Sequence, residues 1–305
     1  MRSILMAVLL GSVCAGASTA PAESELVEVR KDEMLRVEVS GRGPLLVLIP
    51  GLMGSAYGFR RVVGPLQEAG FRVAVVEPLG IGGSARPREA DYSLTAQADR
   101  VDAVLRDLDA GPAVVVAHSV GASIAMRLAY RHPERVAAIV SLDGGPAEGA
   151  GTKGFRRAMR FAPLLRLFGG TGRIREHVRS TLRSRSADPR WVTDEVVSGY
   201  IAGPSRDLGA TLRAYGRMAS AREPEPLAPH LPSIRCPVRL VIGTATREGG
   251  ISEAEVEQLR QSLPSFAVET VPDAGHFVFE EKPLMVVAAV ERTVGSPARV
   301  ARSLR

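Results

Sequence analysis

Apolar and polar positions fall into two alternating rhythms along most of this chain. Residues 26–29 and 35–39 alternate with period two, which predicts a pair of antiparallel edge strands with one face buried. Residues 45–49, 71–76, 114–117, 136–142, 238–243 and 266–271 are dominated by apolar side chains without strict alternation. Runs of this kind predict strands covered on both faces, as in a parallel sheet. Between them lie segments of helical period. Residues 62–69 are closed by Gly70, and 94–108 carry Leu94, Ala98, Val101, Leu105 and Leu108 on one stripe. Residues 122–132 are stopped by Pro133, 252–263 open with the capping-box pattern Ser252-Glu253-Ala254-Glu255, and 283–293 form the last helix. Strand and helix in turn predict an α/β fold, a mostly parallel central sheet with helices on both faces.

The rhythm breaks between residues 147 and 232. No strand pattern appears there, and several helical segments are separated by Gly169-Gly170, Pro189, Gly203-Pro204 and the proline-rich stretch 224–232. The expected organisation is a core of 23–146 and 233–294, a helical cap of 147–232, a leader of 1–22 and a basic tail of 295–305. The leader has Arg2, an apolar stretch from Ile4 to Val13 too short to span a bilayer comfortably, and an Ala20-Pro21-Ala22 cleavage pattern. Export to the periplasm or the medium is therefore expected, with cleavage after Ala22; an uncleaved anchor is the alternative. Removing the leader leaves Cys236 as the lone cysteine, so no internal disulfide is available, and its place before a strand predicts a small buried apolar role.

With 45% hydrophobic and 24% charged residues the chain has the composition of a soluble globular protein. Its formal charge of +6 comes almost entirely from arginine, since lysine occurs only at Lys31, Lys153 and Lys282. No nucleic-acid motif accompanies that charge, so no nucleic-acid partner is expected. Arginines are dense between residues 153 and 190, where Phe155, Met159, Ala162, Leu165 and Phe168 interleave with them. That stripe is expected to pack on the core and line an acyl pocket. A weak contact with a membrane surface is the other reading, with arginine reaching anionic head groups.

Chemistry concentrates in Val114-Val115-Val116-Ala117-His118-Ser119-Val120-Gly121. An apolar run ends in one serine with small residues two positions to either side, and a helical pattern follows. A serine in a sharp strand-to-helix turn exposes its Oγ, and larger side chains two positions away would clash. Serine needs a base to act as a nucleophile, and histidine supplies one near neutral pH. Of five histidines, His276 follows Gly275 in the loop after the last strand. His118 diverges from its neighbour Ser119 and is expected to be structural or to line the pocket. His132 ends a helix, and His177 and His230 are expected to be exposed.

Four stretches in order, Ile49-Pro50-Gly51-Leu52-Met53-Gly54-Ser55, Glu77-Pro78-Leu79-Gly80-Ile81-Gly82-Gly83-Ser84, Ala117-His118-Ser119-Val120-Gly121 and Asp273-Ala274-Gly275-His276-Phe277, resemble the motifs of the α/β-hydrolase fold superfamily, in its capped serine esterase or lyase branch. The resemblance runs from about residue 45 to 290. It implies Ser119 as nucleophile, His276 as base, and the Leu52 and Val120 N–H groups as the oxyanion hole. Pro50 stands where the family often has histidine. The family's usual acid position corresponds to Thr246, so the acid is displaced. Asp143, at the end of strand 136–142, is the preferred acid, as in some haloalkane dehalogenases, and Glu248 is the alternative. A serine nucleophile disfavours haloalkane dehalogenase and epoxide hydrolase chemistry, which uses aspartate. No metal-ligand spacing appears, and Gly80–Gly83 lacks the following helix with Lys and Ser/Thr that a phosphate cradle has, so no metal or cofactor is expected. The expected activity is cleavage of carboxylic esters through an acyl-enzyme, with a small-molecule apolar acyl ester as the substrate. Alternatives are C–C, lactone or amide hydrolysis on the same fold, or a non-catalytic binding protein.

Overall fold

The computed structural model describes residues 23–151, 153–159, 171–245 and 250–295. The leader 1–22, most of the tail 295–305, part of the arginine-rich stripe (160–170) and Glu248 lie outside the described residues.

Eight strands form one sheet in the order β1-β2-β4-β3-β5-β6-β7-β8. They are β1 (Glu23–Arg30), β2 (Glu33–Gly41), β3 (Leu45–Ile49), β4 (Arg72–Val76), β5 (Ala113–His118), β6 (Val136–Leu142), β7 (Val238–Gly243) and β8 (Phe266–Val271). β1 pairs antiparallel with β2 and β2 with β4; every other neighbour is parallel. Two edge strands were expected at this end of the sheet, but only β1 is one. β2 is sandwiched between β1 and β4, and its buried residues Leu35 and Val37 are fully covered.

The apolar runs have a direct explanation in the pleat. In β3, Leu45, Val47 and Ile49 enter one hydrophobic cluster, and Leu46 and Leu48 enter another on the opposite face. β5 divides likewise, with Val115 and Ala117 on one side and Val114 and Val116 on the other. Successive side chains alternate faces, so a strand covered on both faces must be apolar at every position. Burying a Leu, Ile or Val fully contributes about 1.5–3 kcal/mol each, which makes these runs the main source of stability.

Helices α2 (Leu94–Asp107) and α3 (Val120–Arg131) cover the first face. Leu94, Ala98, Val101 and Leu105 are buried there, as their spacing predicts. Helix α1 (Arg60–Glu68) contributes Val62 and Leu66 to the other face. A 3-10 turn over Ala56–Phe59 leads into α1, so it begins before the apolar stripe does.

Between β6 and β7 the chain forms α4 (Lys153–Met159), α5 (Thr171–Ser184), α6 (Asp194–Ile201) and α7 (Leu208–Ser220), with no strand among the described residues. Glu223, just past α7, accepts from the N–H groups of Leu94 and Thr95 and so caps α2. Its carboxylate also meets the fully buried Arg127 of α3 at 3.3 Å. This anchors the end of the insertion to the core through a charge that is itself paired. After β7 come α8 (Glu253–Ser262), which has the expected capping box, then α9 (Val278–Glu281) and α10 (Pro283–Val294) beyond β8.

Candidate active site

Ser119 sits between the C-terminal end of β5 and the first turn of α3, with φ +53° and ψ −124°. A non-glycine residue held there costs about 1–3 kcal/mol and persists only when its surroundings fix it. The Ser119 N–H donates to the carbonyl of Leu142 on β6 (3.0 Å), and its carbonyl accepts from the Ala122 N–H (3.0 Å). Gly121 explains the small residue on the helix side. A Cβ there would lie 2.8 Å from the Ile49 carbonyl oxygen and 3.1 Å from that of Pro50.

Asp143 follows the last residue of β6 and also has positive φ (+49°). Its N–H donates to the Val241 carbonyl at 2.9 Å. His276 follows β8, and its N–H donates to the carbonyl of Arg185, beyond α5, at 2.8 Å. The three strand ends converge so that His276 Nδ1 lies 2.6 Å from Asp143 Oδ2, both groups being buried. A carboxylate only accepts, so Nδ1 carries the proton and Nε2 keeps its lone pair.

His118 and Glu77 hold this arrangement from behind. His118 is buried, with its ring centroid 4.5 Å from that of His276 and 4.8 Å from Phe279. Its Nε2–H donates to the His276 carbonyl at 3.1 Å. Burial first, and the neighbouring His276 second, hold its pKa well below the ordinary histidine value, so it stays neutral. The expectation that His118 is structural or lines the pocket is met in both respects. The glycine-rich loop after β4 wraps its own glutamate. Glu77 accepts from the Gly83 N–H (2.5 Å) and from the Ala56 N–H (2.7 Å), beside the Leu52 loop. Burial raises the Glu77 pKa despite these bonds. Glu77 thus ties down the far end of the 51–56 loop.

A cavity of about 320 Å³ collects Ser119, His276, Asp143, Leu52 and Val120 on its wall. Four of the predicted site features, the serine, the histidine, the preferred acid and the oxyanion pair, therefore meet in one place. Val120 opens α3, so its N–H has no acceptor within the helix. Glu248 lies outside the described residues.

Three contributors were not foreseen. Ser55, whose buried Oγ has no hydrogen-bond partner among the described residues, lines the same cavity. Arg185 also lines it, from the insertion. Glu281 clamps the His276 loop: its carboxylate accepts from the N–H groups of Gly275 (2.8 Å), Ala187 (2.8 Å) and Asp188 (3.0 Å). Ser55 stood inside a quoted motif; the other two depend on where the insertion lands.

The remaining histidines lie away from the cavity. His177 is exposed, as expected. His230 is not: it is half-buried and stacks on Tyr130, centroids 4.4 Å apart, because the proline-rich segment folds back onto α3. His132 comes together with Asp102 and Glu134. Asp102 there already pairs with Arg106 (2.7 Å) and Arg135 (3.3 Å), which opposes a cation. Cys236 is half-buried, and burial pushes its thiol pKa up to about 11, in keeping with an inert role. Among the described residues no helix is long and apolar enough to cross a membrane.

Comparison with known proteins identifies the family. The alpha/beta hydrolase fold family model matches residues 44–283. The chain is 26% identical over 258 residues to 2-(acetamidomethylene)succinate hydrolase of Mesorhizobium japonicum, covering 84% of this chain and 90% of that one. It is 26% identical over 264 residues to the sn-1-specific diacylglycerol lipase ABHD11 of Mus musculus, covering 81% and 80%. The structure of Cfl2 from Burkholderia cenocepacia superposes with a TM-score of 0.73 at 23% identity, covering 88% of this chain and 95% of that one, a likeness of fold. The chain belongs to the alpha/beta hydrolase fold family and is a hydrolase of that fold.

Proposed function

We propose that this hydrolase cleaves carboxylic esters through an acyl-enzyme formed on Ser119. The observation that carries the reading is the strained Ser119 turn opening on the same cavity as His276, whose Nδ1 is bonded to Asp143 at 2.6 Å. Ser119 Oγ attacks the ester carbonyl carbon and gives its proton to His276 Nε2. The oxyanion is held by the N–H groups of Leu52 and Val120. Collapse breaks the C–O bond, and His276 passes the proton to the departing alkoxide. Water, deprotonated by His276, then attacks the acyl-enzyme, releases the acid and restores Ser119. Asp143 orients His276 and stabilises its charged form. His118, held neutral by burial, adds no positive charge against that protonation.

Ser119 stands at the turn where an alkyl-enzyme route would need a carboxylate nucleophile, so that route lacks its reagent. The helical insertion acts as a cap, with Phe155, Val178 and Leu182 on the cavity wall. Its surface charge is partly neutralised, since Arg179 pairs with Asp194 and Glu176, which weakens the case for membrane contact. Residues 1–22 direct export, testable by fractionating cells that express the full chain.

Fluorophosphonate labelling followed by intact mass tests the central claim. One adduct on the wild type, absent from Ser119→Ala, supports it; no adduct on folded wild type overturns it and leaves a binding protein.

A further inference from the structure

Arg185 is the one arginine or lysine among the described residues that line the cavity. Its backbone is fixed: its carbonyl accepts from the His276 N–H at 2.8 Å. Two and three residues on, Ala187 and Asp188 are gripped by Glu281. Neighbouring arginines of the insertion spend their charge on protein acids. Arg179 meets Asp194 at 2.5 Å, and Arg190 meets Asp188 at 2.6 Å. The Arg185 guanidinium has no carboxylate partner and no hydrogen-bond acceptor among the described residues.

The acids on the cavity wall are already engaged. Asp143 holds His276. Glu255 accepts from both the N–H (2.9 Å) and the hydroxyl (2.6 Å) of Ser252 in the capping box of α8. Much of the remaining wall is apolar, including Leu52, Phe155, Leu182, Ile251 and Phe277.

The half-buried Arg185 charge bears on the chemistry beside it. The Arg185 charge is felt at the buried His118 ring, where it adds to burial and to His276 in opposing protonation. A positive charge beside a catalytic base works, in general, against the proton that the base takes up during attack. An anion on the substrate would cancel it, and would do so in the complex, where the compensation serves catalysis.

We propose that Arg185 is a specificity-determining residue that pairs with a free carboxylate on the substrate, so that the preferred substrates are half-esters of dicarboxylic acids or similar carboxylate-bearing acyl compounds. This inference rests on the ester-hydrolase reading above and names its substrate class. A guanidinium matches a carboxylate with two parallel N–H···O bonds, which a lysine cannot reproduce.

Two measurements decide it. The first compares kcat/KM for mono-4-nitrophenyl glutarate and its neutral methyl ester. Wild type should favour the anionic ester by about tenfold or more, and Arg185→Gln should lower that ratio by about tenfold, with Arg185→Lys in between. A wild-type preference for the neutral ester, or a ratio unmoved in Arg185→Gln, overturns the proposal. The ratio is internal to each variant, so partial misfolding does not mimic the effect. The second needs no turnover. Calorimetric binding of monomethyl glutarate to Ser119→Ala should exceed that of dimethyl glutarate and weaken in the double variant Ser119→Ala/Arg185→Gln. Equal binding by the two proteins overturns the proposal. If fluorophosphonate labelling fails while this binding holds, the carboxylate site stands and the ester-hydrolase reading falls.

Discussion

One wall of the cavity is made of strand ends and the other of inserted helices, and they hold their side chains differently. On the strand-end wall, position is fixed by backbone. Ser119, Asp143 and His276 each follow a strand, and each N–H is bonded to a carbonyl of another segment. Around them, Gly121 and Gly144 lie so close to neighbouring backbone that no side chain fits. On the helical wall, position is fixed by side chains. Val178 and Leu182 project from α5, whose outer face carries Arg173, Glu176 and His177 into solvent. Glu281 is where the two walls are joined. The strand-end wall is thus built to keep one reaction in register, while the helical wall can change its lining without disturbing that register.

The comparison is tested hardest by Asp143→Asn. The carboxylate holds the proton of His276 on Nδ1; an amide can present its NH2 there instead and favour the wrong tautomer. Turnover of any substrate should fall by about 10⁴-fold with the fold intact. Steady-state kinetics together with a thermal melt check this. Kinetics equal to wild type would remove Asp143 from the mechanism and bring Glu248 forward.

Gly144→Ala sharpens the claim about backbone. An added Cβ would fall well inside van der Waals contact with the Ser119 carbonyl and 2.6 Å from the Ala122 Cβ. Relief requires moving the serine turn or α3, so a loss of about 3 kcal/mol in unfolding free energy is expected, measured by urea titration. A loss below about 1 kcal/mol would mean the strand-end wall is softer than its contacts suggest.

What could be read from the sequence divides along the same line. The turn at Ser119 was legible because local sterics demand small residues at fixed offsets, and strand ends announce themselves by where apolar runs stop. Asp143 could be placed at a strand end in the same way. Arg185 and Glu281 could not. The separation of Glu281 from Ala187 is 94 residues, and nothing local marks either as a partner. His230 was misjudged for a similar reason: its place against Tyr130 depends on how the proline-rich segment returns to α3. The start of α1 was missed because the 3-10 turn before it has no apolar period.

Glu281→Gln tests the junction between the walls. Oε1 accepts one N–H and Oε2 accepts two, so either orientation of the amide turns an NH2 toward a donor. Loosening the His276 loop should lower kcat by about tenfold, with KM less affected. Anionic and neutral esters should suffer alike, in contrast to Arg185→Gln, which changes their ratio. If Glu281→Gln shifts the ratio and spares kcat, Glu281 serves the helical wall alone.

The smallest expected effect concerns His118, and its sign can be worked out. Burial lowers its pKa in the folded protein well below 6.5, whereas in the unfolded chain it titrates near that ordinary value. Below 6.5 the unfolded state therefore binds a proton that the folded state refuses. Its contribution to stability is fully present above pH 6.5 and is lost as pH falls below it, by at most about 1.4 kcal/mol per pH unit. His118→Asn removes the titrating group, so its unfolding free energy should fall less steeply than that of wild type between pH 6.5 and 5. The comparison of slopes matters more than the absolute stabilities, because the variant also loses ring contacts with His276 and Phe279. Equal slopes in the two proteins would mean that His118 takes up a proton inside the fold. A positive charge would then stand on a ring whose centroid is 4.5 Å from that of His276, and the strand-end wall would be tuned by pH as well as by backbone.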